Sequence, residues 1–317
     1  MTKLSHSAKD KIVTCGALYK YHYIDRIRPN SVSSALFFGK ALDEAFSALL
    51  AEKMDPPPIN LMECPFEVFA KHFATTELNG EVIPTTDIRC EYFKSDLDPE
   101  LSGDPELATY LLNNRDNLNE EQKLEFNRLC VESLTNKATL MIHAYRNEVI
   151  HKIERVYSLQ EKVSLPNEEG DEIIGYIDFT CSFVDEPGVV YIVDNKTASK
   201  NYKEDSVRTS EQLATYCDFK YTDKAAYVVI NKTLRKKDPR VNVQIIKDTI
   251  PDEMFKKVFD TYQNALYTIR NEEYYKNYSS GCFFFGKKCA YFDYCKSNGK
   301  DMKGLIQLTG DKENGKS

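Results

Sequence analysis

Three residues near the middle of the chain carry the chemistry: Asp178, Asp194 and Lys196. Asp178 interrupts an apolar alternation over Ile173–Phe183, while Asp194 and Lys196 close a second one that begins at Val189. Isoleucine, valine and aromatics at alternate positions read as two strands, with Asp185, Glu186, Pro187 and Gly188 as the turn between them. Strands that fold back on each other bring together positions equidistant from the turn, so Asp178 lands beside Asp194 and Lys196. Burying two carboxylates and an amine on one sheet is costly. A divalent cation compensates for it, and hard oxygen ligands select Mg²⁺ or Mn²⁺. Residues two apart share a strand face, so Asp178 must oppose Asp194 or Lys196 rather than Asn195. The sequence therefore predicts a hairpin loop of odd length, or a β-bulge, between Phe183 and Val190.

The elements that position these residues follow from periodicity and punctuation. Ser5–Ile24 reads as one amphipathic helix, with Ile12, Cys15, Leu18, Tyr19 and Tyr23 at helical spacing. A second helix starts at Ser33 or Ser34, runs to about Lys53, and contains Gly39 and Asp43. Pro56, Pro57 and Pro58 end it. Residues 55–118 are mixed, with short helical pieces, and read as an insertion. Asn119–Lys152 is a long helical pattern and Glu154–Leu165 a strand. Ser210–Lys220 is a helix that places Gln212 and Tyr216 on one face. Strands Ala225–Ile230 and Val241–Ile246 enclose a basic turn, Lys232–Arg240, and Asp252–Lys276 is a further helix. The segment after about Asn298 is polar and expected to fray.

Bulk properties narrow the class. The 317 residues carry a net charge of −7, which does not advertise nucleic-acid binding but leaves room for a local basic groove. The N-terminal stretch has no apolar signal region, and no stretch is apolar enough to span a membrane. A cytosolic protein is expected, in which the nine cysteines stay reduced and serve more readily as ligands than as disulfides.

Taken together, Gly175-x-x-Asp178, Asp194-x-Lys196-Thr197 and Gln212-x-x-x-Tyr216 resemble, in order and strand context, the PD-(D/E)xK nucleases of the RecB-like branch. The resemblance implies an α/β, restriction-endonuclease-like core, a mixed central sheet flanked by helices, with a helical insertion. It divides the chain into an N-terminal helical part (1–54), the insertion (55–118), the nuclease core with a C-terminal cysteine cluster (119–297) and a flexible tail (298–317). Asp178 and Asp194 would ligate the metal, with the Asn195 carbonyl a further candidate ligand. Lys196 would orient the attacking water and stabilise transition-state charge. Gln212 and Tyr216 would orient Lys196 or contact the DNA backbone, although periodicity alone also admits Tyr216 as core.

RecB-like relatives often carry Gly-x-x-x-His on the second helix, the histidine binding metal. Here Gly39-x-x-x-Asp43 departs from that pattern, and Asp43 offers a harder ligand; Glu44 is the adjacent alternative, and a solvent-facing Asp43–Glu44 pair the bland one. Glu161 matches a family glutamate and equally reads as a partner for a lysine. Cys15 with Cys282-x₆-Cys289-x₅-Cys295 resembles the cysteine set that holds a 4Fe–4S cluster in the nuclease module of the B subunit of AddAB and in CRISPR-associated exonucleases. Their usual C-terminal spacing begins with x₂ rather than x₆. Zinc is the alternative occupant, and free thiols the bland reading.

The function implied is metal-dependent cleavage of DNA ends, single strands preferred, in recombination, repair or replication of a phage-type system. DNA is the partner, with a helicase, single-strand-binding or recombination protein alongside it. The alternatives are a CRISPR-associated DNA-trimming nuclease and a non-catalytic Fe–S DNA-binding scaffold.

Overall fold

The computed structural model describes residues 2–58, 63–166, 170–234, 240–278, 282–284 and 287–308. Strand β1 (Lys3–Ser5) leads into α1 (His6–Thr14), capped by the Ser5 hydroxyl, which accepts from the Ala8 N–H. The single helix expected to reach Ile24 is broken at Cys15, whose backbone is extended at φ −168° and ψ 111°. Helix α2 (Gly16–Tyr19) and a π-helical turn, Lys20–Ile24, resume after it. Packing causes the break. A Cβ on Gly16 would lie 2.8 Å from the Tyr275 backbone nitrogen, so only glycine lets the two backbones meet there. The Ala17 N–H then donates to the Tyr275 carbonyl at 2.9 Å.

Strands β2 (Ile27–Pro29) and β3 (Val32–Ser33) precede α3 (Ser34–Ala51). The following region is not purely helical. Between α4 (Pro65–Phe73) and α5 (Pro105–Asn113) lie a hairpin, β4 (Thr75–Leu78) and β5 (Glu81–Pro84), and the short β6 (Cys90–Glu91). Asn79 and Gly80 form its turn, both at positive φ, which is the geometry an Asn-Gly pair favours. Helix α6 (Glu120–Glu148) begins at a capping box made by Asn119 and Gln122.

The central elements are β7 (Ile153–Pro166), β8 (Glu172–Phe183), β9 (Glu186–Ala198), α7 (Glu211–Lys220), β10 (Lys224–Asn231) and β11 (Val243–Thr249). Helix α8 (Asp252–Arg270) stops short of Lys276, freeing Tyr274 and Tyr275 to pack on α2. After β12 (Phe283–Phe284), β13 (Lys287–Lys288) and α9 (Phe292–Lys296), the described part of the tail expected to fray contains β14 (Leu305–Gln307), paired antiparallel with β2, and residues 309–317 lie outside the described residues. Leu305, 8 % exposed, is the apolar anchor of this strand. Of the basic turn, Arg235, Lys236 and Lys237 lie outside the described residues.

The main sheet is mixed. β8 pairs antiparallel with β7 along one edge; on the other it meets β1 in parallel over Glu172–Ile174 and β9 antiparallel over Phe179–Phe183. β10 lies parallel to β9, reached through α7, and β11 closes the order antiparallel to β10. Side-chain alternation divides the core between the two faces. On β10, Ala226, Val228 and Ile230 pack with α3 and α6, while Ala225, Tyr227 and Val229 pack with α1, α7 and α8. The α4–α5 region joins the first of these cores through Phe69, Phe73, Ile83 and Leu111.

Candidate functional site

The site lies where β8 and β9 part. Their turn is tighter than the sequence suggested: Phe183 pairs with Glu186, leaving Val184 and Asp185 as the turn. Carried back at that register, five residues on each side, Asp178 would face Tyr191. A bulge intervenes, because the next pair is Cys181 with Tyr191, so β9 gains three residues on β8. Pairing ends at Phe179 with Val193, and one further step sets Asp178 beside Asp194. Beyond it the strands separate. The Asn195 N–H, which has no β8 carbonyl to meet, donates to Asp178 Oδ2 at 2.8 Å.

Alternation along β9 then sends its residues to opposite faces. Asp194 and Lys196 share the face that carries α7. Asp194 is 2 % exposed, and its Oδ2 lies 2.7 Å from Lys196 Nζ in an ion pair that is not aligned as a hydrogen bond. Lys196 Nζ donates to Gln212 Oε1 at 3.1 Å, and Gln212 Nε2 donates to the Tyr216 hydroxyl at 3.2 Å. Tyr216 lies flat against β8: a Cβ at Gly175 would fall 2.6 Å from its ring. Gly175 is therefore the gap into which the tyrosine fits.

Asn195 points the other way, towards α3 and α6. Its side-chain oxygen accepts from the Tyr145 hydroxyl at 3.1 Å, and its amide nitrogen donates to Asp43 Oδ1 at 3.3 Å. Asp43 Oδ2 accepts from Gln160 Nε2 at 2.5 Å. Tyr145 is fully buried and stacked on Phe46 at 4.1 Å between ring centroids. Sequence reasoning missed Gln160 and Tyr145. Gln160 had a signal only in structure, a positive φ of 46° inside a strand; Tyr145 looked like any other apolar position of a long helix.

The electrostatics suit a cation. Burial raises Asp178 well above the usual carboxylate range, and the charges of Asp194 and Asp43 add to it. Burial also raises Asp194 against the opposing pull of Lys196. Asp43 is pushed up to about 6 by burial, the Asn195 and Gln160 amides opposing and the Asp194 charge contributing. For Lys196 burial acts to lower the pKa, but the Asp194 carboxylate outweighs it and holds the ammonium charged. Three acidic groups thus answer to one ammonium, and a buried carboxylate oxygen of Asp194 lacks a hydrogen bond. The donor set fits Mg²⁺ or Mn²⁺. Among the described residues no group of three or more His, Cys, Asp or Glu side chains is placed so that it could hold a metal ion by itself.

The model of the PD-(D/E)XK nuclease superfamily matches residues 3–296, nearly the whole chain. The chain belongs to the PD-(D/E)XK nuclease superfamily. A search of curated proteins returned no match. The mixed α/β fold agrees with this membership, and the superfamily's nucleases work with Mg²⁺ or Mn²⁺. No described helix is long and apolar enough to cross a membrane.

Elsewhere in the nuclease, Glu161 is engaged by Lys220 on α7, which takes it out of the catalytic cluster. Cys15, Cys282, Cys289 and Cys295 all line one cavity of about 400 Å³ between α2 and the C-terminal segment. The extended backbone at Cys15 brings its sulfur to the Asn277 N–H at 3.4 Å, and Cys282 Sγ lies 3.4 Å from the Asn277 carbonyl. Burial raises the Cys289 thiol, and the neighbouring sulfurs of Cys15, Cys282 and Cys295 raise it further. The x₆ spacing is spanned by the β12–β13 ribbon, closed by the Cys289 N–H donating to the Cys282 carbonyl at 2.8 Å. Cys90, Cys130, Cys181 and Cys217 are buried elsewhere.

Proposed function

We propose that this nuclease is a metal-dependent deoxyribonuclease acting on DNA ends, with single strands preferred, in recombination, repair or replication. The observation that carries the reading is the meeting of Asp178, Asp194 and Lys196 at the fork between β8 and β9. The preference for ends and for single strands rests on the likeness of the ordered motifs to the RecB-like branch.

Asp178, Asp194 and Asp43 would hold the cation, with the Asn195 carbonyl as a further candidate ligand. Bound there, Mg²⁺ or Mn²⁺ supplies Lewis acidity at the phosphate and makes water a better nucleophile at neutral pH. Lys196 stays protonated and so acts as a donor, not as a base. Its ammonium orients the attacking water and neutralises charge growing on the phosphoryl oxygens. Gln212 Oε1 accepts a hydrogen bond from the Lys196 ammonium, and Gln212 Nε2 donates to the Tyr216 hydroxyl, which restricts the ammonium to one direction. The same proposal gives the four cysteines of the C-terminal cavity a 4Fe–4S cluster, pinning the start of the domain to its end. The support is their convergence on one space; four thiolates also suit zinc.

The test uses end-labelled single- and double-stranded DNA, linear and circular, with Mn²⁺, Mg²⁺ or EDTA, and Lys196→Ala and Asp194→Ala beside the wild type. Metal-dependent loss of linear DNA only, absent in both variants, supports the reading. Cleavage of circles moves it to an endonuclease, and intact DNA under every condition overturns it. Iron, sulfide and zinc content of protein purified without oxygen decides the occupant of the cysteine cavity.

A further inference from the structure

Unlike Asp178 and Asp194, Asp43 is not carried by the sheet; it hangs from α3 and reaches the site by its side chain. What aims it is therefore a separate question, and both of its oxygens have an answer. Oδ1 takes the long contact from Asn195, at 3.3 Å, and Oδ2 the short one from Gln160, at 2.5 Å. The Gln160 amide nitrogen also lies 3.5 Å from the hydroxyl of Ser47, one helical turn beyond Asp43 and 3 % exposed. One amide thus addresses two groups along a single face of α3.

The backbone at Gln160 departs from strand geometry. Its neighbours Leu159 and Glu161 pair with Phe179 and Ile177, so Gln160 stands opposite Asp178 itself. At this point the β7–β8 ribbon changes allegiance. Leu159 and Phe179 pack on the α3–α6 side, whereas Val163 and Ile177 pack on the α1–α7–α8 side. The positive φ of 46° at Gln160 sits at that crossover. Glutamine gains nothing locally from a left-handed backbone, which glycine or asparagine would adopt more readily. Strain kept at one residue of a functional site points to a role for its side chain.

We propose that Gln160 is a positioning residue for the catalytic cation: it holds Asp43 Oδ2 so that Oδ1 faces the metal. The inference rests on the nuclease reading, which supplies the cation. Of the two amides, the Asn195 contact is the weaker by distance and is the one that a cation would displace. Hydrogen bonds to the far side of a ligating carboxylate fix its orientation, and losing one lowers metal affinity about 10–100-fold.

Mn²⁺ titration of DNA-free protein, followed by the loss of free-ion EPR signal, tests this with Gln160→Met and Gln160→Gly. Methionine keeps the length and removes the donor. Glycine removes the side chain and relieves the backbone, so its thermal stability should hold or rise while affinity falls. We expect both to bind Mn²⁺ about 10–100-fold more weakly than wild type. In an Asp43→Asn background the same substitutions should change affinity little, because Gln160 acts through Asp43. Wild-type affinity in folded Gln160→Met or Gln160→Gly overturns the inference, as does an undiminished loss in the Asp43→Asn background. Wild-type protein that neither binds Mn²⁺ nor cleaves DNA overturns the nuclease reading and this inference together.

Discussion

The Asn195 N–H donates to Asp178 Oδ2 at 2.8 Å, at the point where β8 and β9 stop pairing. A carboxylate here takes the place of a strand carbonyl. The sheet opens without leaving a buried donor unpaired, which would cost about 1–3 kcal/mol. The group that opens the fork is also one of those proposed to hold the cation.

That double duty separates two substitutions. Asp178→Asn keeps an oxygen for the Asn195 N–H and should fold with stability close to wild type while cleaving at least about 100-fold more slowly. Asp178→Ala loses the acceptor as well and should unfold at lower urea, by about 1–3 kcal/mol. Equal stability of the two variants would show that the hydrogen bond does not hold the fork.

Asp43 gives a pH signature. It titrates near 4 in the unfolded chain and near 6 in the folded protein. Between those values the folded state binds more protons, so the metal-free protein loses stability as pH rises through the window and no more above it. Urea unfolding in EDTA from about pH 4 to about pH 7 should show wild type losing about 3 kcal/mol relative to Asp43→Asn. Cation binding needs the carboxylate bare and runs the opposite way, so Mn²⁺ affinity should fall as pH drops through about 6. A flat difference between wild type and Asp43→Asn would refute the shift.

Two glycines of the motifs should respond differently to alanine. At Gly175 the new methyl group meets the Tyr216 ring at 2.6 Å, and at Gly39 it meets Thr197 Oγ1 at an ordinary 3.7 Å. Gly175→Ala should cost about 1–3 kcal/mol and slow cleavage by displacing Tyr216 and, through Gln212, Lys196. Gly39→Ala, inside α3, should be neutral or mildly stabilising. Thermal unfolding and initial rates of both proteins decide the matter.

The bulge makes a prediction about deletions. It adds three residues to β9, so removing Gly188, Val189 and Val190 restores one continuous register and keeps Asp178 beside Asp194. Removing Val189 alone slips the register by one residue and turns side chains to the wrong face. The triple deletion should therefore retain more activity than the single one. The reverse order would mean that the bulge itself shapes the site.

Parity explains why much of this was legible in sequence. Asp178, Asp194 and Lys196 lie on strands whose apolar alternation states which face each residue takes; that logic required either an odd-length loop or a bulge before Val190, and the structure has the bulge. The turn was misplaced because Glu186 and Pro187 look like turn residues, yet they belong to β9. Cys15 was read inside a helix because its neighbours keep helical spacing; the break depends on Gly16 meeting Tyr274 and Tyr275, more than 250 residues later in the chain. Gln160 was passed over in favour of Glu161, because a φ angle leaves no mark in a residue's name.

The alternation along β9 has one more consequence. Asp194 and Lys196 look into one compartment of the protein, and Asn195, between them, looks into the other. The strand acts as a dividing wall with a single peptide-wide doorway. Changes on the α3–α6 side, at Tyr145 or Phe46, reach the site through the Asn195 side chain and Asp43, whereas changes around Tyr216 reach Lys196 through Gln212. Each compartment thus sets a different part of one site, Asp43 on one side of the wall and the Lys196 ammonium on the other.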